Sequence, residues 1–330
     1  MNRTMHAVLS ILARHTDIVG SRELARSLTL HGIELTERTV RYYLKMLDRD
    51  GYTEVFGKEG RRITAAGREE LRRTHVSDKI GFVISKIETL SYLTTLDPVR
   101  MTGEVILNIS FFPRNRLRSA LRLLKPVFAS PYVMSDRIML RTAGRIGDVL
   151  VPPGMAALGT VCSVTINGIF LKAGIPVLSR YGGVVEIDGG EPRRFLSLIS
   201  YDGSSVDPLE IFIKSGMTDA AGATRTRSGR ILASFREIPV VCLDQARTLA
   251  RTLAERGLRG VLLMGSPNRP LLEVPVGIDK AGMVIVGGLN PVAVLEENGI
   301  ATENAAMATL CEYSRLEPFA EAARSATAAA

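Results

Sequence analysis

One segment of 30 residues, from Ser21 to Asp50, constrains the fold of this chain more than any other part of the sequence. It reads SRELARSLTLHGIELTERTVRYYLKMLDRD, and its apolar residues recur at the spacing of two short amphipathic helices. Ser21 is the predicted N-cap of the first helix, and Gly32 allows the turn between the two. The first helix is expected to bury Leu24, Ala25 and Leu28.

The second helix of this segment has one apolar face and one cationic face. Thr36 is its predicted N-cap, because the threonine hydroxyl can accept a hydrogen bond from a free backbone N–H group. The buried face carries, at positions i, i+4 and i+7, Val40, Leu44 and Leu47. The side chains predicted to contact duplex DNA lie outside that face: Arg38, Thr39, Arg41, Tyr42 and Lys45. The alternative is a solvated helix face, which charged residues usually form.

A β-hairpin is predicted next, and it extends the pattern to that of a winged helix. Two short strands, YTEVF and RRIT, flank a turn that begins at Gly57 and ends at Gly60. The hairpin is predicted to touch DNA phosphates through Lys58, Arg61 and Arg62. A leading helix over 5–14 and a closing helix over 65–74 complete the predicted winged-helix domain, residues 1–75.

The charge of the chain is distributed unevenly. Residues 1–75 hold 14 Lys and Arg against 10 Asp and Glu, whereas the remaining 255 residues hold 28 against 24. Half of the formal excess of +8 therefore lies on less than a quarter of the length. This asymmetry favours a polyanionic partner for the N-terminal domain.

Cysteine and histidine usage narrows the classes of function. The three cysteines are far apart and form no C-x-x-C pair, which favours a reducing compartment over a zinc ribbon or a disulfide scaffold. The sequence shows neither a signal peptide nor the ~18 consecutive apolar residues that a membrane span needs, so we expect a cytoplasmic protein. All four histidines precede residue 76, which removes His-dependent catalysis and most transition-metal sites from the rest of the chain. We therefore expect no catalytic residue, metal or cofactor.

Beyond the winged helix the sequence predicts a connecting helix and a larger α/β domain. Apolar residues at helical spacing indicate a helix over 76–98, whose stripe can pack on the large domain or on a second subunit. From 99 to 320 strand and helix patterns alternate, as in an α/β fold. The alanine-rich end, 321–330, is predicted to be a flexible tail.

Two strand-helix-strand units in the α/β domain, about 104–180 and 236–300, indicate an internal duplication. Residues 151–167 align without a gap with 274–290 and share six identities in 17 positions. This alignment places Asn167 opposite Asn290. Chance similarity of glycine-rich loops is the alternative. A true duplication would give two halves that face each other around a pseudo-dyad.

The segment between these halves, 181–235, is rich in glycine and short polar residues. Such loops bring backbone N–H groups close to a small anion, and the cleft between the halves is the predicted pocket. The candidate lining residues are Asn167, Arg180, Tyr181, Gly182, Gly183, Ser204, Ser205 and Asn290. For each of them a turn, a cap or a surface position is the plainer alternative.

Four motifs in this domain carry a family resemblance: TVCSVTINGIFLKAGIPVLSRYGG, YDGSSVDPLEIFIKSGMT, ILASFREIP and VGGLNPVAVLEENGI. Together with the winged helix they resemble the nitrogen-regulatory repressor (NrpR) family known from methanogenic archaea. The resemblance implies repressors that bind operator DNA as oligomers and release it when 2-oxoglutarate accumulates. This chain departs from some members by holding one effector domain instead of two. A dicarboxylate would need cations, which Arg180 or Arg227 could supply.

These observations together predict a homodimeric transcriptional repressor whose affinity for double-stranded DNA is modulated by a small anionic effector, with 2-oxoglutarate as the candidate. One alternative is an enzyme fused to a winged helix, with the carboxylates Asp202, Asp207 and Glu210 as its chemical groups. Another is an RNA-processing accessory protein, since winged helices also bind RNA.

Overall fold

The computed structural model describes residues 3–15, 18–30, 33, 35–73 and 81–328. The chain divides into two compact units, residues 1–79 with 148–150 and residues 80–147 with 151–330. The predicted turn residue Gly32 and the first part of the predicted connecting helix, 76–80, lie outside the described residues.

The first unit has the element order of a winged helix, which confirms this part of the predicted fold class. Its helices are α1 (Arg3–Arg14), α2 (Ser21–Leu30), α3 (Glu37–Arg49) and α4 (Ala65–Arg73). Strands β1 (Thr53–Phe56) and β2 (Gly60–Ile63) form the hairpin. Val19 extends this small sheet, because its backbone exchanges two hydrogen bonds with that of Arg61.

The core of this unit is the apolar set expected from helical spacing. Three helices and the hairpin meet around buried side chains that include Val8, Ile11, Leu12, Leu24, Leu28, Val40, Leu44, Leu47 and Ile63. Burying an aliphatic side chain stabilises a fold by about 1.5–3 kcal/mol. Since isolated helices of this length are marginal in water, this packing holds them in place.

The second unit alternates strands and helices. Its helices are α5 (Phe82–Leu93), α6 (Leu117–Phe128), α7 (Val164–Lys172), α8 (Pro208–Lys214), α9 (Ala220–Arg225), α10 (Leu243–Glu255), α11 (Asn290–Glu297) and α12 (Phe319–Ala328). Its longer strands are β3 (Glu104–Pro113), β4 (Arg137–Arg141), β7 (Met155–Val161), β8 (Leu178–Asp188), β9 (Glu191–Ser200), β10 (Gly229–Pro239), β11 (Val261–Met264), β12 (Lys280–Val286) and β13 (Glu303–Glu312). Its two-residue strands are β5 (Arg145–Ile146) and β14 (Glu317–Pro318), whereas the two-residue strand β6 (Val149–Leu150) falls in the first unit.

Two antiparallel five-stranded sheets organise this unit. The first has the strand order β13-β3-β7-β4-β14, and the second has the order β11-β12-β10-β8-β9. One continuous apolar core joins side chains from both sheets with those of α6, α8, α9, α11 and α12. Helix α5 packs on α7 through its buried residues Val83 and Ile87, so its apolar stripe is used within the chain.

The sheet topology repeats, which supports the predicted internal duplication. The three strands β3-β7-β4 stand in the same relative order as β10-β12-β11. In each half a proline, Pro113 or Pro239, ends the first strand, and a single 3-10 turn leads into the following helix. The last strand of each half then crosses over, since β8 joins the sheet of β10 and β13 joins the sheet of β3. Each half therefore completes the sheet of the other.

The strand register corrects the gap-free alignment of the two halves. Pro113 lies opposite Met155 in the first half, and Pro239 lies opposite Lys280 in the second. Met155 thus corresponds to Lys280. The second half carries two additional residues, 278–279, in the loop before β12, and the alignment is out of register from that loop onward.

Hydrogen bonds at the helix starts identify the true counterpart of Asn290. The side-chain oxygen of Asn290 accepts a bond from the Leu232 N–H at 2.8 Å, and Thr165 Oγ1 accepts one from the Ile106 N–H at 3.1 Å. Leu232 and Ile106 occupy equivalent positions on β10 and β3. Asn290 therefore corresponds to Thr165, and its predicted pairing with Asn167 is wrong.

The C-terminal segment is the second correction. The predicted flexible tail, 321–330, is helical through Ala328, and the last two residues lie outside the described range. Phe319 is 7 % exposed and stacks on Phe128 with ring centroids 4.5 Å apart. Ala322 is also buried. The alanines that suggested fraying have the small size that lets α12 pack against α6 and β4.

Candidate nucleic-acid interface and effector region

Helix α3 starts where the sequence predicts and presents the predicted cations. Thr36 Oγ1 accepts a hydrogen bond from the Thr39 N–H at 3.2 Å, which satisfies one free N–H group at the helix start. The Thr39 hydroxyl is 2.9 Å from that of Thr36, so it is engaged in the cap region. The exposed predicted contacts are Arg38, Arg41, Tyr42 and Lys45, with Tyr42 61 % exposed.

Arg41 is held in place by its neighbours. It forms an ion pair with Glu37 one turn earlier, and its Nε donates to Ser21 Oγ at 3.3 Å. Ser21 Oγ in turn donates to Glu37 Oε1 at 3.0 Å, so Ser21 links α2 to α3 instead of capping α2 as predicted. The Arg41 guanidinium and the Ser21 hydroxyl hold the pKa of Glu37 below its ordinary value. The Arg41 side chain is thereby oriented before any ligand binds.

The hairpin separates the three predicted phosphate contacts into two groups. Lys58 is exposed in the turn, and Arg62 is exposed with its guanidinium 4.8 Å from the Phe56 ring centre. Arg61 faces inward, where its Nε lies 2.9 Å from a carboxylate oxygen of Asp48. The reason is the strand alternation, which places Arg61 on the same face as the buried Ile63. Arg61 therefore ties the hairpin to α3, which differs from its predicted role.

The remaining exposed cations suit an extended anionic ligand. They project from a helix and from a hairpin turn, and both are rigid elements packed on one core. Phosphate contacts of this kind fix the position of a winged helix on a duplex, while base contacts would give its specificity.

The structure brings part of the predicted effector set together at one end of the β8–β9 pair. Arg180 lies 3.7 Å from a Glu237 carboxylate oxygen, and the Tyr201 N–H donates to the Arg180 carbonyl oxygen. Tyr181 is half-buried next to Arg180. The Ser204 hydroxyl donates to the carbonyl oxygen of Ser200, and Ser205 is half-buried beside it.

The two glycines of this region are explained by close packing. A Cβ atom on Gly182 would lie 2.8 Å from Pro208 Cβ, and one on Gly183 would lie 2.6 Å from the Ser197 carbonyl oxygen. Both distances are shorter than a side chain tolerates. The glycines therefore let the neighbouring chain approach β8, which is independent of any ligand.

A buried arginine that sequence reasoning missed lies beside this region. Arg236, 1 % exposed, donates to the Ser163 carbonyl oxygen at 2.9 Å, to Ser163 Oγ at 3.0 Å and to Asn167 Oδ1. Asn167 also donates to Ser179 Oγ at 2.9 Å. The Arg236 Nε has no partner, and no carboxylate among the described residues forms an ion pair with this guanidinium.

Arg236 is a buried charged group whose hydrogen-bond partners are all neutral. Burial lowers the pKa of its guanidinium to about 10, so it stays protonated at neutral pH. A buried charge without a counterion is costly and marks a candidate site for an anion. The sequence signal was the charged pair Arg236-Glu237 inside the otherwise apolar strand ILASFREIP.

Two members of the predicted effector set lie elsewhere. Arg227 is near the far end of β8, where its guanidinium donates to the Gly189 carbonyl oxygen at 2.8 Å. Asn290 is fully buried, and its amide binds the backbone of Leu232 and the Tyr132 carbonyl oxygen. Its hydrogen-bonding capacity is used by the fold.

A small cavity lies at the starts of the two related helices, and one of its lining residues is Ser163, which Arg236 contacts. It measures about 10 Å³, which is room for one water molecule. Its walls come from both halves and from α5, and include Ile87, Asn108, Ser163, Tyr201, Asp207 and Leu289. Burial raises the pKa of the Tyr201 hydroxyl and of the Asp207 carboxyl.

Two of the three carboxylates considered for an enzyme, Asp207 and Glu210, have local roles. Asp207 accepts a hydrogen bond from the Leu209 N–H at 2.8 Å and caps α8, as the turn alternative predicts. Glu210 accepts one from the Ala306 N–H at 2.9 Å. In the described part of the chain, no three metal-binding side chains are grouped so that they could hold an ion. No described helix has the length and apolarity to cross a membrane.

Two family models match the chain. Residues 80–318 match the NrpR regulatory domains NRD1 and 2, and residues 6–71 match the ribonuclease R winged-helix domain. The first match covers more than half of the chain. It confirms the resemblance drawn from the four motifs.

Curated relatives agree with the first match. The chain is 34 % identical over 317 residues to the global nitrogen regulator NrpRI of Methanosarcina mazei, and the alignment covers 96 % of this chain and 98 % of that protein. It is 32 % identical over 310 residues to the global nitrogen regulator NrpR of Methanococcus maripaludis, covering 94 % of this chain and 54 % of that protein. The chain thus spans about half the length of this second relative.

A solved structure agrees as well. A nitrogen repressor-like protein from Methanococcus jannaschii matches with a TM-score of 0.62 and 30 % sequence identity, over 72 % of this chain and 98 % of that chain. With the regulatory-domain match and the relatives named as regulators, this places the chain among regulators and not among enzymes. The chain belongs to the NrpR family.

Proposed function

We propose that this protein is a DNA-binding transcriptional repressor that responds to the nitrogen state of the cell through a small anionic effector. One observation carries the DNA-binding part of the proposal. The winged helix presents exposed cations on α3 and on the hairpin turn, above a core that fixes both elements. Duplex DNA offers phosphates to the hairpin and base edges in the major groove to such a helix.

Alanine substitution on α3 tests DNA binding. Arg41→Ala should weaken binding to the protein's own upstream DNA by ~1–3 kcal/mol if the guanidinium contacts a base, and should weaken binding to unrelated duplex less. Arg26→Ala, an exposed cation on α2, is the control and should change both affinities little. Unchanged operator binding by Arg41→Ala would contradict this placement of α3 on the duplex.

The proposed effector is a dicarboxylate, with 2-oxoglutarate as the first candidate. The buried, unpaired cation Arg236 supports this choice, because a carboxylate would supply its missing counterion. Asn167, which contacts Arg236, and the half-buried Arg180 are the nearby groups that can orient a second carboxylate. The adjoining cavity is too small for a dicarboxylate, so binding requires its walls to move apart.

Helix α5 would move when the walls of the cavity separate, because it forms part of them. Ile87 is part of the cavity wall, and Lys86 Nζ donates to the Ala306 carbonyl oxygen at 2.9 Å. Helix α5 is also the first described helix after the winged helix in sequence. An effector that displaces α5 would shift the population of the protein between a state that binds DNA strongly and one that binds it weakly.

A homodimer is the proposed DNA-binding form. Two winged helices related by a two-fold axis would read half-sites about one helical turn, ~34 Å, or a multiple of that distance apart. The match to a ribonuclease winged helix keeps RNA as the second candidate ligand. Competition separates the two, because an RNA-binding protein would be displaced by A-form or single-stranded RNA more readily than by duplex DNA.

A further inference from the structure

The second unit, here named the regulatory unit because it holds the match to the NrpR regulatory domains, carries a basic surface whose charge is not balanced. The turn before α6 and the helix itself hold five exposed cations, here named the α6 basic stripe: Arg114, Arg116, Arg118, Arg122 and Lys125. The whole segment from Arg114 to Phe128 contains no acidic residue. Among the described residues none of the five forms an ion pair, and Arg122 donates one hydrogen bond, to Ser119 Oγ at 3.4 Å.

The stripe is a feature of one half only. The counterpart of α6 is α10, whose two arginines are balanced by Asp244 and Glu255. The turn before α10 reads Val-Val-Cys where the turn before α6 reads Arg-Asn-Arg. Both helices bury an apolar face against the sheets, so their fold does not require this difference in charge.

We propose that the α6 basic stripe is a second DNA contact, which binds the phosphate backbone without reading sequence. This inference rests on the proposed DNA-binding function and adds a site outside the winged helix. Four of its five cations are arginines, whose planar guanidinium groups bind phosphate oxygens in pairs.

The spacing of the stripe fits a duplex. Arg118, Arg122 and Lys125 follow one another at i, i+4 and i+7 on the face opposite the buried one. Seven residues of helix extend about 10.5 Å, which is close to three phosphate steps of one DNA strand at ~3.4 Å each along the axis. An acidic protein is the alternative partner for such a surface. If an acidic protein is the true ligand, loss of the stripe charges should leave the affinity for DNA unchanged.

The test compares two full-length triple variants with the wild-type protein. R118Q/R122Q/K125Q removes three charges from the stripe, and R247Q/R251Q/R256Q removes three exposed charges in and just after α10. Dissociation constants are measured for the protein's own upstream duplex and for an unrelated duplex, between about 50 and 200 mM salt. Circular dichroism and thermal melting establish that both variants fold.

The stripe variant is expected to bind both duplexes more weakly by a similar factor, roughly tenfold or more at physiological salt. Its slope of log affinity against log salt should be shallower by about 2–3, since each phosphate contact contributes ~0.9. The α10 variant should keep a slope within about one of the wild-type value.

Two results would overturn the inference. One is a stripe variant with wild-type affinity and slope, and the other is an equal loss in both variants, which would reflect net charge alone. In either case, the comparison of wild-type protein with Arg41→Ala still tests DNA binding by the winged helix. If wild-type protein binds neither duplex, the proposed function itself is wrong.

Discussion

The two halves of the regulatory unit share a topology and differ in where they carry charge. Arg236 in the second half occupies the strand position of Ser110 in the first, three residues before the proline that ends each strand. Arg236 makes three side-chain hydrogen bonds, whereas the buried Ser110 Oγ makes none. The exposed charge is distributed the other way, with five cations on the first half's α6 and the turn before it, and a balanced α10 in the second half.

This difference separates the features that the duplicated fold requires from those that it does not. The sheet order, the helix starts and the crossing strands repeat because each half needs the other to complete its sheet. A buried cation or an unbalanced basic helix contributes nothing to that requirement. We therefore assign function to the asymmetric charges, which are Arg236 and the α6 basic stripe, and we assign stability to the packing and hydrogen bonds of the scaffold, which four substitutions test.

The largest expected effect is at the C-terminal helix α12, which packs against α6 and β4 of the first half. Phe319→Ala removes the ring that stacks on Phe128 and should lower the free energy of unfolding by about 4 kcal/mol through cavity formation. Denaturant unfolding followed by circular dichroism measures this. Arg324→Ala, exposed on the same helix, is the control and should stay within ~0.5 kcal/mol of wild type. A loss below 1 kcal/mol for Phe319→Ala would contradict the packed helix and support the predicted flexible tail instead.

Asn290→Ala is expected to lower stability by about 3 kcal/mol. The Leu232 N–H and the Tyr132 carbonyl oxygen would each lose a buried partner, at roughly 1–3 kcal/mol apiece. The Leu232 carbonyl oxygen keeps the Gly287 N–H as a donor. The same denaturant experiment applies, and a variant as stable as wild type would mean that Asn290 has no structural role.

The matched change in the first half is Thr165→Val, which should cost only about 1–2 kcal/mol. It removes the hydroxyl that accepts from the Ile106 N–H, while the Ile106 carbonyl oxygen keeps the Cys162 N–H. The ratio of the two losses is the informative quantity. Equal losses would contradict the expectation that Asn290→Ala costs more because it leaves two buried backbone groups without a partner, whereas Thr165→Val leaves one.

Ser110→Ala is expected to change stability least, within ~0.5 kcal/mol of wild type and toward higher stability. Its hydroxyl is buried without a partner, so its removal abolishes a desolvation cost without losing a bond. A loss above 1 kcal/mol would reveal an ordered water or another partner at this position.

Features set by local spacing could be predicted from the sequence. The Thr36 cap and the buried face of α3, and the hairpin, follow from residues within one or two turns of each other, and the structure has them in place. Arg61 could not be assigned correctly, because its partner Asp48 lies 13 residues earlier and reaches it only in the folded domain. Ser21 was misassigned for the same reason, since Glu37 on the next helix takes its hydroxyl.

The duplication could be recognised from the sequence, but its register could not. Three of the six identities follow the two-residue insertion, so they aligned residues that hold different positions in the sheets. Only the pairing of strands across the sheet reveals the shift. Arg236 was missed because a charged residue in an apolar strand can face either solvent or core, and its burial depends on the packing of α7 against β10.

The most direct test of the central claim is operator binding at fixed salt, with and without 2-oxoglutarate, for wild-type protein and for Arg236→Met. We expect the acid to weaken wild-type binding. We expect Arg236→Met to bind the operator as wild type does without effector and to be insensitive to the acid, because its buried cation is gone. A variant that responds as wild type does would contradict the assignment of function to the asymmetric Arg236.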